Sequence, residues 1–273
     1  MSEQSRKAVY NGGLGIEAYW FQGLSRPFPA HFHPYFVVGL MEKGKRKLLW
    51  GGEEYRLQAG DLMLLNPGES HACAEVGGGL NYRSVNLPPE AAAALAGVPD
   101  PVFPAPVLRD EELAAEFRAL HLRILEGEEA GARLADFLKR LPAPTGPRKP
   151  QPLGRREVDS ACAFMAERLG ERISLDRLCR HTGLSRSTLL RAFLREKGVT
   201  PYQYLEALRI SAAKALLDQG ASPLEAALET RFSDQSHFTN AFTRLMGLPP
   251  GEYRALRRGE KEEPSWTDKR KNA

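Results

Sequence analysis

A chain of 273 residues with 42% hydrophobic and 26% charged side chains can bury more than one core, which excludes wholesale disorder. Its formal charge of +4 is unevenly placed: residues 1–150 carry 17 Lys/Arg against 18 Asp/Glu, and residues 151–273 carry 21 against 16. The basic half suits a polyanionic partner, while Cys73, Cys162 and Cys179, with no CxxC pair, suggest no disulfide framework and a reducing compartment.

The N-terminus has no apolar signal region, and no run is long enough for a membrane span; the longest apolar stretch, Ala91 to Val98, is interrupted by Gly97. The expectation is a cytoplasmic protein with no membrane partner. Residues 8–88 then read mostly as strands. PYFVVGLM is a buried apolar run, RKLLWGGEEYRL gives two strands around a Gly51-Gly52 hairpin, and GDLMLLNPGESH ends a strand in a Pro-Gly turn. Strands at this spacing predict a small barrel or jelly roll over residues 1–108.

Residues 109–140 change period. Leu113, Phe117, Leu120 and Ile124 form a one-sided helical stripe, and Leu134, Phe137, Leu138 and Leu141 a shorter second one. A stripe needs a partner: the barrel, or a second copy of the chain in a homodimer. Residues 141–154, LPAPTGPRKPQPLG, hold five prolines and predict a stiff extended linker.

Residues 155–260 read as helical throughout, followed by a charged tail at 261–273. Ser174 caps a helix from Leu175 that stops at Gly183, and Ser185 caps the next, which stops at Gly198. Pro201 starts a longer helix to about Leu217, and SPLE at 222–225 is a capping box with proline at the first helical position. SDQSHFTNAFTRLMG supplies a last helix ended by Gly247.

Within this half the chain repeats itself at an offset of 49 residues. Leu189, Ala192, Phe193, Arg195, Gly198, Pro201 and Tyr204 recur as Phe238, Ala241, Phe242, Arg244, Gly247, Pro250 and Tyr253. Each copy is a helix, a tight turn and a second helix, the pattern of a helix-turn-helix whose second helix enters the DNA major groove. The apolar members hold the core. The exposed face is Arg186, Ser187, Leu190 and Arg191 in unit one, and Gln235, Ser236, His237, Thr239 and Asn240 in unit two. Arg bonds guanine bidentately and Asn or Gln bond adenine. Arg195 and Arg244 lie a turn further on, suited to phosphate contacts or surface ion pairs.

GLSRSTLLRAFLREKGVTPYQYLEALRISAAKALL, and RFSDQSHFTNAFTRLMGLPPGEYRAL after it, resemble the DNA-binding domain of the AraC/XylS family of transcription regulators over about residues 157–258. The resemblance implies two helix-turn-helix units joined by a long helix. Its base-contacting positions fall on Ser187, Leu190 and Arg191, and on Gln235, Ser236, Thr239 and Asn240. It also implies RNA polymerase as a partner. Two residues depart from the family. Arg231 stands where glycine usually ends the preceding helix, at about 1 kcal/mol in a left-handed backbone. Asn240 stands where arginine is common.

The upstream half resembles the cupin-type effector domain often fused to that unit, through His31-x-His33 and through Gly60-Asp61 to Asn66-Pro67-Gly68-x-x-His71. On a strand His31 and His33 share a face, and the resemblance brings His71 to it. The glutamate of metal-binding cupins is missing, with Tyr35, Phe36, Val37 and Val38 in its region. Three readings stay open: a divalent metal on His31, His33 and His71; a small-molecule pocket using these histidines and Tyr35; or histidines tied structurally into the barrel.

The expectation is an α+β multidomain chain, a barrel with a helical pair followed by an all-α double helix-turn-helix domain. Its function is that of a ligand-responsive regulator, a transcription activator among the possibilities, binding double-stranded DNA and a small effector. The alternatives are a metal-dependent cupin enzyme with a DNA-binding appendage, and a barrel that is only a dimerisation scaffold. No paired carboxylates, nucleophile elbow or phosphate loop support other catalysis.

Overall fold

The computed structural model describes residues 5–24, 27–142 and 155–258. Most of the expected proline linker and the charged tail at 261–273 lie outside the described residues. Strands β1 (Ser5–Asn11), β2 (Ile16–Leu24), β3 (Phe28–His31), β4 (Phe36–Trp50), β5 (Glu53–Leu57), β6 (Leu62–Leu65), β7 (His71–Leu87) and β8 (Val107–Leu108) form one antiparallel sheet. The hydrogen-bonded order is β1-β2-β7-β4-β6-β8, with β3 paired to β7 and β5 to β4. Among the described residues this path does not close on itself, so the expected barrel is an open, jelly-roll-like sheet.

The reason lies in β4 and β7. They are long enough to take one partner along one half and another along the other: β4 pairs β6 and then β5, and β7 pairs β3 and then β2. Register shifts between Met41 and Arg46 interrupt their own ladder, and bulges of this kind bend and twist a sheet. The Gly51-Gly52 turn forms as the sequence suggests, with both residues at positive φ, as a twisted two-residue hairpin requires.

Helices α1 (Pro89–Ala96), α2 (Glu111–Leu125) and α3 (Gly131–Arg140) cover one side of the sheet. Leu113, Phe117, Leu120 and Ile124 are buried in a core shared with Ile16, Val38, Leu40 and Val85, as are Leu134, Phe137, Leu138 and Leu141. Both stripes are therefore spent inside the chain, and neither offers a face to a second copy. His121, on the same side of α2, is fully buried. Its Nε2–H donates to the Tyr19 carbonyl at 2.9 Å, and its Nδ1 accepts from Arg83 Nη1 at 3.3 Å.

The remaining helices are α4 (Arg155–Glu167), α5 (Leu175–Thr182), α6 (Arg186–Lys197), α7 (Pro201–Asp218), α8 (Pro223–Glu229), α9 (Gln235–Met246) and α10 (Pro250–Arg257). Ser174, Ser185 and Ser222 cap their helices through their side chains, and Gly183, Gly198 and Gly247 end theirs in the left-handed region. Thr200 and Gln203 add a second capping box at the start of α7, one that reading the Pro201 start alone did not reveal.

Arg231 is the one non-glycine residue at positive φ among those described, at 61°. The turn thus keeps the geometry glycine would give it, and the arginine adopts it. A contact offsets part of that cost: Arg231 Nε donates to the Gly170 carbonyl at 2.7 Å. Arg209 Nη2 donates to the neighbouring Glu171 carbonyl at 3.1 Å, and its Nη1 reaches the Arg231 carbonyl at 3.5 Å. Two arginines thus clasp the α4–α5 turn of unit one to the α8–α9 turn of unit two.

The two units differ in their cores. Unit one closes on itself around Val158, Met165, Leu178, Leu189 and Phe193. In unit two, Ala227, Phe238, Phe242, Leu245 and Tyr253 belong to the same apolar cluster as Tyr19, Phe21, Met41, Leu57 and Tyr82 of the sheet. Unit two and the sheet domain are built around one core.

Candidate functional site

Two surfaces carry the chemistry. On α6, Leu189, Ala192 and Phe193 are buried, while Arg186, Ser187 and Arg191 are exposed and Leu190 half-buried. On α9, Phe238, Ala241 and Phe242 are buried, while Gln235, Ser236 and Asn240 are exposed and His237 and Thr239 half-buried. Fixed apolar positions thus aim a polar face outward, as a reading helix needs.

Several of the basic side chains have partners that a phosphate or base would have to displace. Arg186 forks onto Asp176, with Nε–Oδ1 2.6 Å and Nη2–Oδ2 2.7 Å. Arg191 Nε donates to the Ser187 carbonyl at 3.3 Å, and Arg195 Nε pairs with Glu196 at 2.8 Å. Arg244 pairs with Glu206, whose other oxygen lies 3.8 Å from His237 Nε2. The Arg186–Asp176 pair is exposed on both sides and contributes at most about 1 kcal/mol, so a charged partner can compete for it, whereas Glu196 and Glu206 are only 7% and 11% exposed beside their exposed arginines.

The second site is a cavity of about 710 Å³, counted to its mouth, inside the sheet domain. Tyr19, Phe21, Tyr35, Tyr82, Met41 and Met63 give it an aromatic and thioether wall, and His31, His33 and His71 stand together in it. No Lys, Arg, Asp or Glu lines it among the described residues.

The sequence brings the histidines together in two steps. β3 and β7 pair with His31 directly opposite His71, and His33 follows His31 by two residues. Facing imidazole nitrogens of the three lie within 4.8 Å of one another, with His31 Nε2 and His33 Nε2 at 3.1 Å. His31 Nδ1–H donates to the Pro29 carbonyl at 2.6 Å and His71 Nδ1–H to the Glu69 carbonyl at 3.1 Å. Each bond fixes the tautomer that leaves Nε2 with its lone pair.

Burial holds His31 at a pKa of about 4, against the carbonyl of Pro29, which pulls the other way. Burial and the His31 neighbour hold His71 at about 3. Burial, with His31, His71 and Lys214 nearby, keeps His33 well below its ordinary range. All three imidazoles are neutral near pH 7. Tyr35 stacks on His33 with ring centroids 4.8 Å apart, and its hydroxyl faces Met246 Sδ at 3.9 Å.

Sequence reasoning placed His31, His33, Tyr35 and His71 around one pocket, and the structure brings all four to its lining. It missed the cavity's other wall. Leu245 and Met246, at the C-terminal end of α9, line the same space. No local signal could have found them, because they come from the far half of the chain.

A buried polar tie secures that contact. Glu17 on β2 is 4% exposed and accepts from Lys214 Nζ of α7 at 2.8 Å and from Tyr19 Oη at 3.1 Å. The Tyr253 hydroxyl of α10 lies 2.8 Å from Glu17 Oε1 and also within reach of Asp218; with a single proton, it serves one at a time. Burial pushes the Glu17 pKa up, but Lys214 and these hydrogen bonds outweigh it and leave the carboxyl below its ordinary value. Arg6 on β1 adds a bond from Nη1 to the Gly247 carbonyl at 3.1 Å and an ion pair with Glu252.

Residues 17–139 match the AraC-like ligand binding domain family, and residues 178–256 match a helix-turn-helix domain family. An uncharacterized HTH-type transcriptional regulator of Bacillus subtilis, YbfI, is 39% identical over 259 residues, covering 87% of this chain and 90% of that one. The transcriptional activator RhaR of Klebsiella pneumoniae is 32% identical over 98 residues, covering 36% of this chain and 35% of its own length. The crystal structure of unsaturated fatty acid bound ToxT from Vibrio cholerae aligns with a TM-score of 0.55 at 15% identity, across 96% of this chain and 100% of that one, and shares the fold. No helix of the described residues is long and apolar enough to cross a membrane. With a sensor-type sheet domain, a doubled helix-turn-helix and a full-length relative that is itself a regulator, the chain belongs to the AraC family of transcription regulators.

Proposed function

We propose that the histidine-lined cavity is the effector site, and that its occupant is sensed directly by the second DNA-reading unit. The observation that carries this is the wall formed by Leu245 and Met246, which end the helix whose other end bears Gln235, Ser236, Thr239 and Asn240. A ligand in the cavity touches the reading element itself, and any preference for one placement of α9 becomes a shift in DNA affinity. The uncharged lining suits a small, mostly apolar effector whose polar end bonds His31, His33, Tyr35 or His71. The ToxT structure that shares this fold holds an unsaturated fatty acid.

On DNA, Ser187, Leu190 and Arg191 of unit one and Gln235, Ser236, Thr239 and Asn240 of unit two face base edges, with Arg186 and His237 beside them. Arg195 and Arg244 hold phosphates after releasing Glu196 and Glu206. The 18-residue helix α7 spans about 27 Å, which with the width of the packed units sets the reading helices near one turn of B-DNA, about 34 Å. A regulator of this kind works in the cytoplasm as an activator with RNA polymerase, and as a homodimer through surfaces other than the buried stripes of α2 and α3.

Site selection from random duplex DNA tests the reading. A specific site should emerge whose affinity falls steeply with salt. Arg191→Ala and Gln235→Ala should each cost about 1–3 kcal/mol and relax the preference at one position, whereas Arg244→Ala should weaken all sequences alike. Equal losses on every sequence for all three would overturn the assignment.

A further inference from the structure

We propose that the Arg231 guanidinium, held at the seam between the two helix-turn-helix units, binds a backbone phosphate of the DNA stretch between the two half-sites. This rests on α6 and α9 being the base-contacting helices, and it adds a contact that belongs to neither half-site.

Position supports the contact first. Arg231 precedes Gln235, the first residue of α9, by four positions. Its anchor, Gly170, lies in the turn that leads into α5. The first turn of α5 is tied in turn to the start of α6, because Asp176 takes the fork of Arg186 at 2.6 and 2.7 Å. Arg231 therefore stands between the leading ends of the two reading helices. A helix-turn-helix lays its first helix across the DNA backbone while the second enters the groove, so the entry to α5 runs along phosphates and not along bases.

Charge supports it next. The carbonyls of Gly170 and Glu171 accept from Arg231 and Arg209, and Arg172 follows them in the chain. Glu171 itself is spent on Arg177. Among the described residues no carboxylate pairs with Arg172, Arg209 or Arg231, so three guanidinium charges surround one turn without an acid to balance them. Arg186, Arg195 and Arg244 each hold a carboxylate that an incoming phosphate must displace; at Arg231 there is none to displace. Burial lowers the Arg209 pKa and the Arg231 charge adds to that, against Tyr202, so the two like charges act on one another. An anion at Arg231 relieves that repulsion.

Geometry supplies the fork. Arg231 Nε donates to the Gly170 carbonyl at 2.7 Å, which fixes the guanidinium, and its two amino nitrogens have no partner among the described residues. Those two N–H groups match phosphate oxygens, and a side chain already fixed gives up little freedom on binding. Joining the units does not by itself call for this residue. Arg209 alone spans both turns, through the Glu171 and Arg231 carbonyls. At φ 61° a glycine would make the same turn without strain. What the arginine adds is an exposed charge at the seam.

The test uses the purified full-length chain and a duplex selected from random DNA, with affinity followed between about 50 and 200 mM salt. Arg231→Gly should weaken all sequences alike by about tenfold and make the slope of log affinity against log salt shallower by about 0.9. Arg231→Lys should keep the wild-type slope. Glycine suits the backbone there, and thermal melts should show that Arg231→Gly folds. Uncharged methylphosphonate linkages, placed one at a time between the half-sites, locate the contact: at one of them wild type should lose about tenfold and Arg231→Gly nothing further. A slope unchanged in Arg231→Gly, whatever its affinity, overturns the phosphate contact and leaves a structural tie. So does a methylphosphonate scan that costs the variant as much as wild type at every linkage. Failure of the wild-type chain to select any site would overturn the base-reading helices and this contact with them; a selected site with an unchanged slope overturns this contact alone.

Discussion

Phe193 and Phe242, Gly198 and Gly247, and Tyr204 and Tyr253 occupy equivalent places in the two helix-turn-helix units, yet their surroundings differ. Phe193 sits in a core made of unit one alone, and Phe242 in one shared with the sensor sheet. Gly198 approaches the sensor at ordinary contact distance, where an added Cβ would lie 3.4 Å from Ser70; at Gly247 it would lie 2.9 Å from the Phe21 ring. Tyr204 stacks on Phe32 at 4.6 Å, whereas Tyr253 sends its hydroxyl into the buried Glu17 tie. One scaffold was used twice, once with a core of its own that only touches the sensor at its edge and once with a core shared with the sensor. Duplication preserves the packing positions and leaves the outer faces to acquire different partners.

The contrast can be broken most forcefully at the two cores. Phe193→Ala and Phe242→Ala should each cost about 3–5 kcal/mol, but with different reach. Hydrogen exchange should quicken within residues 157–199 for the first, and in unit two and the sheet together for the second. Confinement of the Phe242→Ala effect to unit two would dissolve the shared core.

Lys214→Ala removes the cation that compensates Glu17 and should destabilise the protein by about 3 kcal/mol. It should also separate the sensor's melting transition from that of unit two, while unit one melts as before. A single unchanged transition in calorimetry would argue against the tie.

Acid probes the sensor side. Burial, with Arg83 beside it, lowers His121 from 6.5 to about 4, the Tyr19 and Ser84 carbonyls and Glu42 opposing that shift only in part. A base whose folded pKa is depressed takes up its proton on unfolding, so its contribution is fully present above about pH 6.5 and declines towards pH 4, by up to about 3 kcal/mol. Denaturant titrations of wild type and His121→Gln across that window should converge at low pH; parallel curves would remove His121 as the cause.

The smallest contrast lies at the paired glycines. Gly198→Ala carries only the left-handed backbone cost, about 1 kcal/mol. Gly247→Ala adds the Phe21 overlap and should cost about 2–3 kcal/mol in all, read as a difference in chemical-denaturation midpoints. Equal losses would mean that Phe21 yields without cost.

Much of this was legible in the sequence because it is written in local rules. Ser185, Ser222, Gly198 and Gly247 announce helix ends by the hydrogen bonds and backbone angles they permit, and the 49-residue echo shows its own core. His31 and His33 share a side by alternation. Whether α2 packs inward or dimerises was undecidable from its stripe, since an apolar face does not name what covers it. Leu245 and Met246 at the cavity, and Glu17 under Lys214 and Tyr253, join positions more than 150 residues apart, and no periodicity reports such a meeting. The open path of the sheet likewise depends on how β4 and β7 bend, a property of bulges that alternation alone does not encode.

The clasp of Arg209 and Arg231 across Gly170 and Glu171 bears on the layout of a promoter. Adding one base pair between two half-sites turns the second by about 35° and moves it by about 3.4 Å along the axis. A protein whose two units are pinned turn to turn has little freedom to follow, so its operator is defined by spacing as strictly as by letters. Regulatory sequences recognised by this chain should therefore tolerate base changes between the half-sites far better than they tolerate an insertion or deletion there.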